Sequence, residues 1–246
     1  MQLVLKDSAS FKKCVDAIAV LIDEAEFLID SKGLSLKATD PSQISMIDFH
    51  LPKSAFQEFT VEQPTKVGLD LDYFSQIMSR ASSNESIKLA LDHENARLML
   101  TFKGNSTRHF SVPLIDVSAA ELPTPKIDFD ATVKIKGDAL QGGLKDAALI
   151  SSHITVGVDA LHFFLRANSS KGELNHETEK KDLMELNAKK ECSAMYPLDY
   201  LQDMLKVADS NTIVSLQLKA NAPIQLSYSV GEAQLSYFLA PRIENA

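Results

Sequence analysis

Apolar residues recur along the chain with two different periods. In four segments they fall at positions i, i+3, i+4 and i+7, which is the pattern of an amphipathic helix that buries one face. The four stripes are Phe11/Cys14/Val15/Ile18, Phe74/Ile77/Met78/Ala81, Leu140/Gly143/Leu144/Ala147 and Leu201/Met204/Leu205/Ala208. The pattern therefore predicts four short helices.

Elsewhere apolar and polar residues alternate, as expected of strands that bury only one face. This alternation occurs at 34–38, 67–71, 87–91, 98–102 and 110–114, and again at 131–136, 161–167, 213–218, 224–230 and 233–239. Turn sequences rich in Ser, Asn, Gly and Pro separate the first set. Few helices among many neighbouring strands favour an α+β fold, with antiparallel sheets and helices packed on one side.

The second half of the chain repeats the first. Residues 71–91 align without a gap with residues 198–218, so that Leu71 corresponds to Leu198, an offset of 127. The first and third helical stripes repeat at a similar spacing. We therefore predict two copies of one domain, at 1–116 and 131–246, joined by a connector at 117–130.

Two segments fit neither period. The connector contains Pro123 and Pro125, which favour an extended course, and it carries more apolar residues than a solvated linker needs. Residues 175–190 are dense in Glu and Lys. This stretch is predicted to be a mobile loop or a short paired strand.

The composition is that of a globular protein without a membrane span. Of 246 residues, 45% are hydrophobic and 24% charged, and the formal net charge is -8. The longest apolar run, 17–22, is far shorter than the roughly 20 residues needed to cross a bilayer, and the first ten residues do not resemble a secretion signal. Cys14 and Cys192 are too few for a disulfide framework, so a reducing compartment is expected.

No catalytic or metal-binding spacing is found. The chain lacks H-E-x-x-H, C-x-x-C and G-x-S-x-G motifs, and its six histidines are far apart. Residues 137–145 look superficially like a phosphate loop but lack the Lys-Ser/Thr pair. We therefore predict no enzymatic activity, no metal and no cofactor.

Several short motifs resemble one family nearly from end to end. They are Ser10-Phe-Lys-Lys13, residues 34–45 around Asp40, Leu198-Asp-Tyr-Leu201 and the ending Leu239-Ala-Pro-Arg-Ile-Glu244. Together with the duplication, they resemble proliferating cell nuclear antigen, the DNA sliding clamp, in its archaeal form. The terminal motif is the most specific of these signals.

The resemblance implies a closed ring of three subunits. Each subunit would contribute two duplicated clamp domains, with antiparallel sheets outside and two short helices per domain on the inner face. Such a ring encircles double-stranded DNA without reading its sequence. Through short peptide motifs it tethers DNA polymerase, the clamp loader, flap nuclease and DNA ligase. An archaeal clamp would be cytoplasmic and nucleoid-associated, and a eukaryotic one nuclear.

The resemblance also implies two sites. DNA phosphates would meet cations on the polar helix faces: Lys12, Lys13, Arg80, Lys145 and Lys206. A Gln-x-x-aliphatic-x-x-aromatic-aromatic peptide would enter an apolar pocket formed by Ile44, Leu122, Pro125, Phe129, Tyr200, Pro223, Phe238, Leu239, Ala240 and Pro241. Subunits would join through a strand at 109–114 and one at 172–178 of the neighbour.

Three alternatives stay open at the sequence level. The ring could be a homotrimer, or a mixed trimer whose other subunits supply more positive charge, because the helices carry acids as well as lysines. The net charge of -8 also fits an acidic two-domain adaptor that binds proteins without encircling DNA. An enzyme of unrecognised mechanism would need a convergent polar cluster that the spacings do not suggest.

Overall fold

A computed structural model describes residues 1–117 and 123–242 of the protein, which form two compact units. Unit 1 comprises Met1–Pro41, Ile47–Pro123 and Val230–Leu235. Unit 2 comprises Ser42–Met46, Thr124–Ser229 and Ser236–Ala246. Leu122 and residues 243–246, to which sequence-level predictions extend, lie outside the described residues.

The described part of the first half contains two helices and nine strands. In order these are β1 (Gln2–Leu5), α1 (Ser8–Ala19), β2 (Glu24–Asp30), β3 (Gly33–Thr39), β4 (Ser45–Pro52), β5 (Glu58–Thr60), β6 (Thr65–Asp70), α2 (Leu71–Met78), β7 (Ser86–Asp92), β8 (Arg97–Lys103) and β9 (Thr107–Pro113). A single 3-10 turn, Lys53–Ala55, follows β4.

The second half repeats this order element by element. It contains β10 (Ala131–Lys136), α3 (Gly137–Ala148), β11 (His153–Val158), β12 (His162–Ser169), β13 (Gly172–Glu179), β14 (Glu185–Ala188), β15 (Cys192–Pro197), α4 (Leu198–Met204), β16 (Ile213–Leu218), β17 (Ile224–Val230) and β18 (Ala233–Leu239). Its 3-10 turn, Lys180–Asp182, follows β13.

Strand order shows the same duplication. In the first half the strands lie in the orders β5-β1-β7-β8-β9 and β4-β3-β2-β6, and in the second half in the orders β14-β10-β16-β17-β18 and β13-β12-β11-β15. The segment after the last strand of each half also bonds to an earlier strand: Ile115 N donates to Gly68 O of β6 at 3.0 Å, and Arg242 N donates to Met195 O of β15 at 2.7 Å. Both residues of the second bond follow those of the first by 127 positions. The predicted duplicated α+β fold is confirmed.

The helices bury the stripes that predicted them. Asp7 caps α1 by accepting a hydrogen bond from Ala9 N at 2.9 Å, and Asp70 caps α2 by accepting one from Tyr73 N at 2.9 Å. Every residue of the four stripes is buried except Ala81, which is half-buried. Three stripe residues lie beyond the helix ends, because α2 ends at Met78 and α4 at Met204: Ala81, Leu205 and Ala208.

The strand predictions agree closely for four strands of the second half and less well elsewhere. The bounds of β10, β16, β17 and β18 are those predicted. For residues 175–190 the second alternative, a paired strand, is the one found, since β13 pairs with β12 and β14 pairs with β10. Six strands were not predicted: β1, β2, β4, β5, β11 and β15.

Both cysteines lie in the interior. Cys14 is 2% exposed, and burial raises its pKa to about 12, so the thiol packs as a small apolar group, as predicted. Burial also raises the pKa of Cys192. In the described part of the chain, no helix is both long enough and apolar enough to cross a membrane.

Candidate DNA interface and peptide-docking site

The two cations of α1 lie in different surroundings. Lys12 forms an ion pair with Asp16 one turn later, and both side chains are about one-third exposed. Lys13 is exposed and lowers the pKa of Asp7, although the hydrogen bond from Ser10 to Asp7 lowers it more. Much of the charge of Lys12 is therefore neutralised within its own helix.

The equivalent helix of unit 2 is arranged differently. Gln141 occupies the position that corresponds to Lys12, and its amide donates to Leu205 O at 2.7 Å and to Ala208 O at 3.0 Å. Lys145, which corresponds to Asp16, is exposed. Gln141 therefore holds the turn after α4 against α3.

Arg80 and Lys206 lie just beyond helices, which corrects their placement on helical faces. Arg80 N donates to Ile77 O at 3.0 Å in the turn that follows α2, and Lys206 N donates to Asp203 O at 3.0 Å after α4. Both side chains are exposed. Burial raises the pKa of Asp203, and the nearby charge of Lys206 opposes that shift.

The chain end and the loop before β4 meet in unit 2. Ala240 N donates to Ile44 O at 2.8 Å, so backbone pairing fixes these two parts of the predicted pocket together. Phe238 and Leu239 are buried, whereas Ile44, Ala240 and Pro241 are half-buried. The half-buried residues provide an apolar surface that a ligand could cover.

Two hydrogen bonds hold the loop that carries Pro223. Tyr196 is fully buried, and its hydroxyl donates to Ala222 O at 2.8 Å. Asn221 N donates to Ser193 O at 3.2 Å, and Asn221 adopts a left-handed conformation with φ of 50°. Burial raises the pKa of Tyr196, which keeps the hydroxyl protonated as a donor. Pro223 is thereby held half-buried at the surface.

The described part of the connector has neither helix nor strand. Pro125 and Phe129 are half-buried, and Lys189 Nζ donates to Phe129 O at 3.2 Å. Tyr200 of α4 is also half-buried. Leu122, predicted to form one pocket wall, lies outside the described residues.

Several strands lie at the ends of the sheets among the described residues, and two of them are the strands of the predicted subunit contact. Strand β9 lies at one end of its sheet, and β13 at one end of another. Their outward edges could therefore accept a further strand, as expected for the predicted subunit contact.

Sequence inspection missed several residues that shape these surfaces. The pairing of Lys12 with Asp16 could have been found from their i, i+4 spacing. The contact between Lys189 and the connector had no such signal, because the two are sixty residues apart. Among the described residues, no group of three or more His, Cys, Asp and Glu could hold a metal ion.

Comparison with known proteins shows one family along the whole chain. The proliferating cell nuclear antigen N-terminal domain matches residues 1–121, and the C-terminal domain matches residues 123–243. A "DNA polymerase sliding clamp" of Thermofilum pendens is 33% identical, over 99% of this chain and 100% of that relative.

Solved structures agree with these matches. A clamp from Thermococcus kodakaraensis has a TM-score of 0.94 at 25% identity and covers 98% of this chain and 99% of its own. The A. fulgidus protein, solved with the C-terminal region of FEN-1 bound, has a TM-score of 0.90 at 26% identity, over 100% and 99% of the two chains. The chain belongs to the proliferating cell nuclear antigen family.

Proposed function

We propose that this protein is a DNA sliding clamp. Three chains close into a ring around duplex DNA, and the ring tethers DNA polymerase and other replication and repair enzymes. The observation that carries this proposal is the duplicated unit with a paired set of helices and an open edge strand, in a chain that matches clamp family models throughout.

Encirclement agrees with the weak positive charge of the helices. A protein that holds DNA by topology needs only modest, screened attraction to phosphates, and base readout would hinder sliding. Lys13, Arg80, Lys145 and Lys206 are exposed and suited to this role. Lys12 would contribute less, because Asp16 already pairs with it.

Closure of the ring would use the open edges of β9 and β13. Pairing β9 of one copy with β13 of the next would satisfy both edges, which otherwise invite aggregation. The proposal thereby gives a partner to the open edges of both β9 and β13.

Partners would dock at the surface that surrounds the chain end. The pairing of Ala240 with Ile44 holds half-buried apolar residues beside an extended segment. A peptide could add as a strand to the chain end and bury two aromatic rings in the pocket. The proposed role of the clamp is to hold its partners on DNA, without chemistry of its own.

Retention on circular DNA tests the proposal. With a clamp loader and ATP, the protein should stay on nicked circular DNA at high salt and be lost when that DNA is linearised. Equal retention on both forms, or on neither, would contradict encirclement. A lack of retention combined with peptide binding would instead favour the acidic adaptor, for which the net charge of -8 is the supporting observation.

A further inference from the structure

Three lysines from separate parts of unit 2 lie around the connector next to the docking surface. Lys189 Nζ donates to Phe129 O at 3.2 Å and lies 3.2 Å from the Asp128 carboxylate. Lys219 Nζ donates to Asp128 O at 3.2 Å. Lys126 is exposed and precedes Asp128 by two positions. We call Lys126, Lys189 and Lys219 the lysine rim.

Each member of the rim is close to a proposed pocket residue. Lys126 follows Pro125 directly, and Lys189 is bonded to the backbone of Phe129. Lys219 begins the turn between β16 and β17 that also carries Pro223, and that turn is anchored by Tyr196. The rim therefore borders the docking surface and belongs to the same unit.

The rim carries more positive charge than its acids neutralise. The Asp128 side chain is 90% exposed and pairs with Lys189, while Lys219 bonds only the backbone oxygen of Asp128. The Asp130 side chain is 13% exposed and forms an ion pair with Lys190, whose Nζ lies 3.3 Å away. Glu191 is exposed and lines a separate groove with Ala220 and Asn221.

Lys189 and Lys219 each have more N–H donors than their contacts with the connector use. An ammonium group carries three N–H donors. Lys219 Nζ contacts one backbone oxygen, and Lys189 Nζ contacts one backbone oxygen and the mostly exposed Asp128. The Lys189 side chain is 67% exposed, so its charge faces solvent.

We propose that the lysine rim selects partner peptides that carry acidic residues beside the aromatic pair. The rim is a local positive surface on a protein whose formal net charge is -8. At physiological ionic strength a charge acts over roughly 8 Å, so a docked peptide senses the rim rather than the acidic remainder of the protein. Charges at the edge of an interface adjust selectivity and association rate, while the buried rings supply most of the affinity.

This inference rests on the proposed function. A set of three peptides distinguishes a failure of the lysine rim from a failure of the proposed docking site. Each contains Gln-x-x-Leu-x-x-Phe-Phe, flanked on both sides by two Glu, two Ser or two Lys. The Ser-flanked peptide tests the docking site alone, and the charged peptides test the rim. Affinities are measured by calorimetry at 0.1 and 0.5 M salt.

The parent protein should bind the Glu-flanked peptide about three- to tenfold more tightly than the Lys-flanked one at low salt, as expected for a few exposed charge pairs. The ratio should shrink at high salt. In a triple variant, Lys126→Gln/Lys189→Gln/Lys219→Gln, the ratio should approach one while the Ser-flanked peptide keeps its affinity. A control, Lys136→Gln/Lys180→Gln/Lys181→Gln, removes the same charge elsewhere and should retain the preference.

Binding of the Ser-flanked peptide without a preference for Glu flanks, or with the same preference in both triple variants, would overturn the rim while leaving the docking site intact. If the parent protein bound none of the three peptides, both the lysine rim and the proposed docking site would be overturned. If the rim variant lost retention on circular DNA but kept its peptide preference, the lysines would be assigned to phosphate contact instead, and the inference would be wrong.

Discussion

Arg108 of β9 donates a hydrogen bond to Glu85 Oε2 at 2.6 Å, in an ion pair whose two side chains are mostly buried. The other terminal nitrogen of the same guanidinium donates to Arg80 O at 3.1 Å. The guanidinium carbon also lies 5.0 Å from the centroid of the Phe102 ring. One side chain from an edge strand therefore fixes the loop after α2, including the backbone of Arg80.

Glu85→Gln should lower stability in a pH-dependent way. Hydrogen bonding to Ser82, the positive charge of Arg108 and the hydrogen bond from Arg108 hold the pKa of Glu85 below its ordinary value of 4.5. Its ionised form therefore stabilises the folded state above pH 4.5, and this contribution is lost as the pH falls through the lower folded pKa. Urea unfolding from pH 7 to 3 should show the parent more stable at neutral pH and the two proteins converging in acid. A gap that stays constant down to pH 3 would contradict this account.

Gly68 and Gly142 should respond in opposite directions to alanine. A Cβ at Gly68 would lie 2.0 Å from Ile115 O, where β6 meets the segment after β9, so Gly68→Ala should cost about 1–3 kcal/mol. Gly142 lies within α3 and has no neighbouring atom within 4 Å of its added Cβ. Gly142→Ala should therefore stabilise the protein by about 0.5–1 kcal/mol. Chemical denaturation measures both, and an equal response at the two positions would rule out the steric explanation.

The sequence predicted best the elements that combine a clear period with a repeat. Strands β10 and β16 bury alternate residues throughout, and β17 and β18 do so over their first five residues, so the alternation predicted these strands with their bounds. Strand β13 could not be assigned with certainty, because its inward positions include His176 and Thr178 in place of aliphatic residues. An edge strand needs less apolar surface than a central one, so its pattern is weaker.

Residues of the candidate sites could be proposed from the sequence only where they lie in a recognisable family motif. The chain end was assigned through its resemblance to a family motif, and in the structure Ala240 of this segment pairs with Ile44. The approach of Lys189 and Lys219 to Asp128 depends on three distant segments folding together. No local period or spacing could have indicated it.

Lys145→Ala should weaken association with DNA more than Lys12→Ala does. Lys12 is already paired with Asp16, so its removal should reduce the attraction between the protein and DNA phosphates less than removal of the exposed Lys145 does. Each full phosphate contact contributes about 0.9 to the slope of log affinity against log salt. Binding to duplex DNA across a salt series should therefore show a smaller slope for Lys145→Ala and a nearly unchanged one for Lys12→Ala. Asp16→Ala should raise DNA affinity by freeing Lys12, and a decrease would contradict this interpretation.

The assembled protein should have a mass of about 81 kDa, three times the chain mass of 27.0 kDa. Leu114 N donates to Ala96 O on the β8 side, and Ser111 is three residues earlier, so alternation points the Ser111 N–H away from β8. Ser111→Pro should then block strand addition without breaking the β8–β9 pairing. Light scattering should give about 27 kDa for this variant, with its circular dichroism unchanged. A parent monomer at micromolar concentration would exclude a homotrimer and leave the mixed ring.

Ile44→Ala should weaken peptide docking without unfolding unit 2. Ile44 is half-buried, and its structural bond to Ala240 uses the backbone carbonyl, which alanine retains. Loss of its side chain removes apolar surface that the peptide would cover, at a cost of about 1–2 kcal/mol in binding. Leu122→Ala should cost a similar amount if the connector forms the opposite wall. Calorimetry with a Gln-x-x-Leu-x-x-Phe-Phe peptide measures both, with Ile213→Ala as the control, because Ile213 is 40% exposed in the same unit and outside the proposed pocket. Unchanged affinity in both pocket variants would place the docking site elsewhere, whereas an equal loss in Ile213→Ala would indicate a general effect on folding.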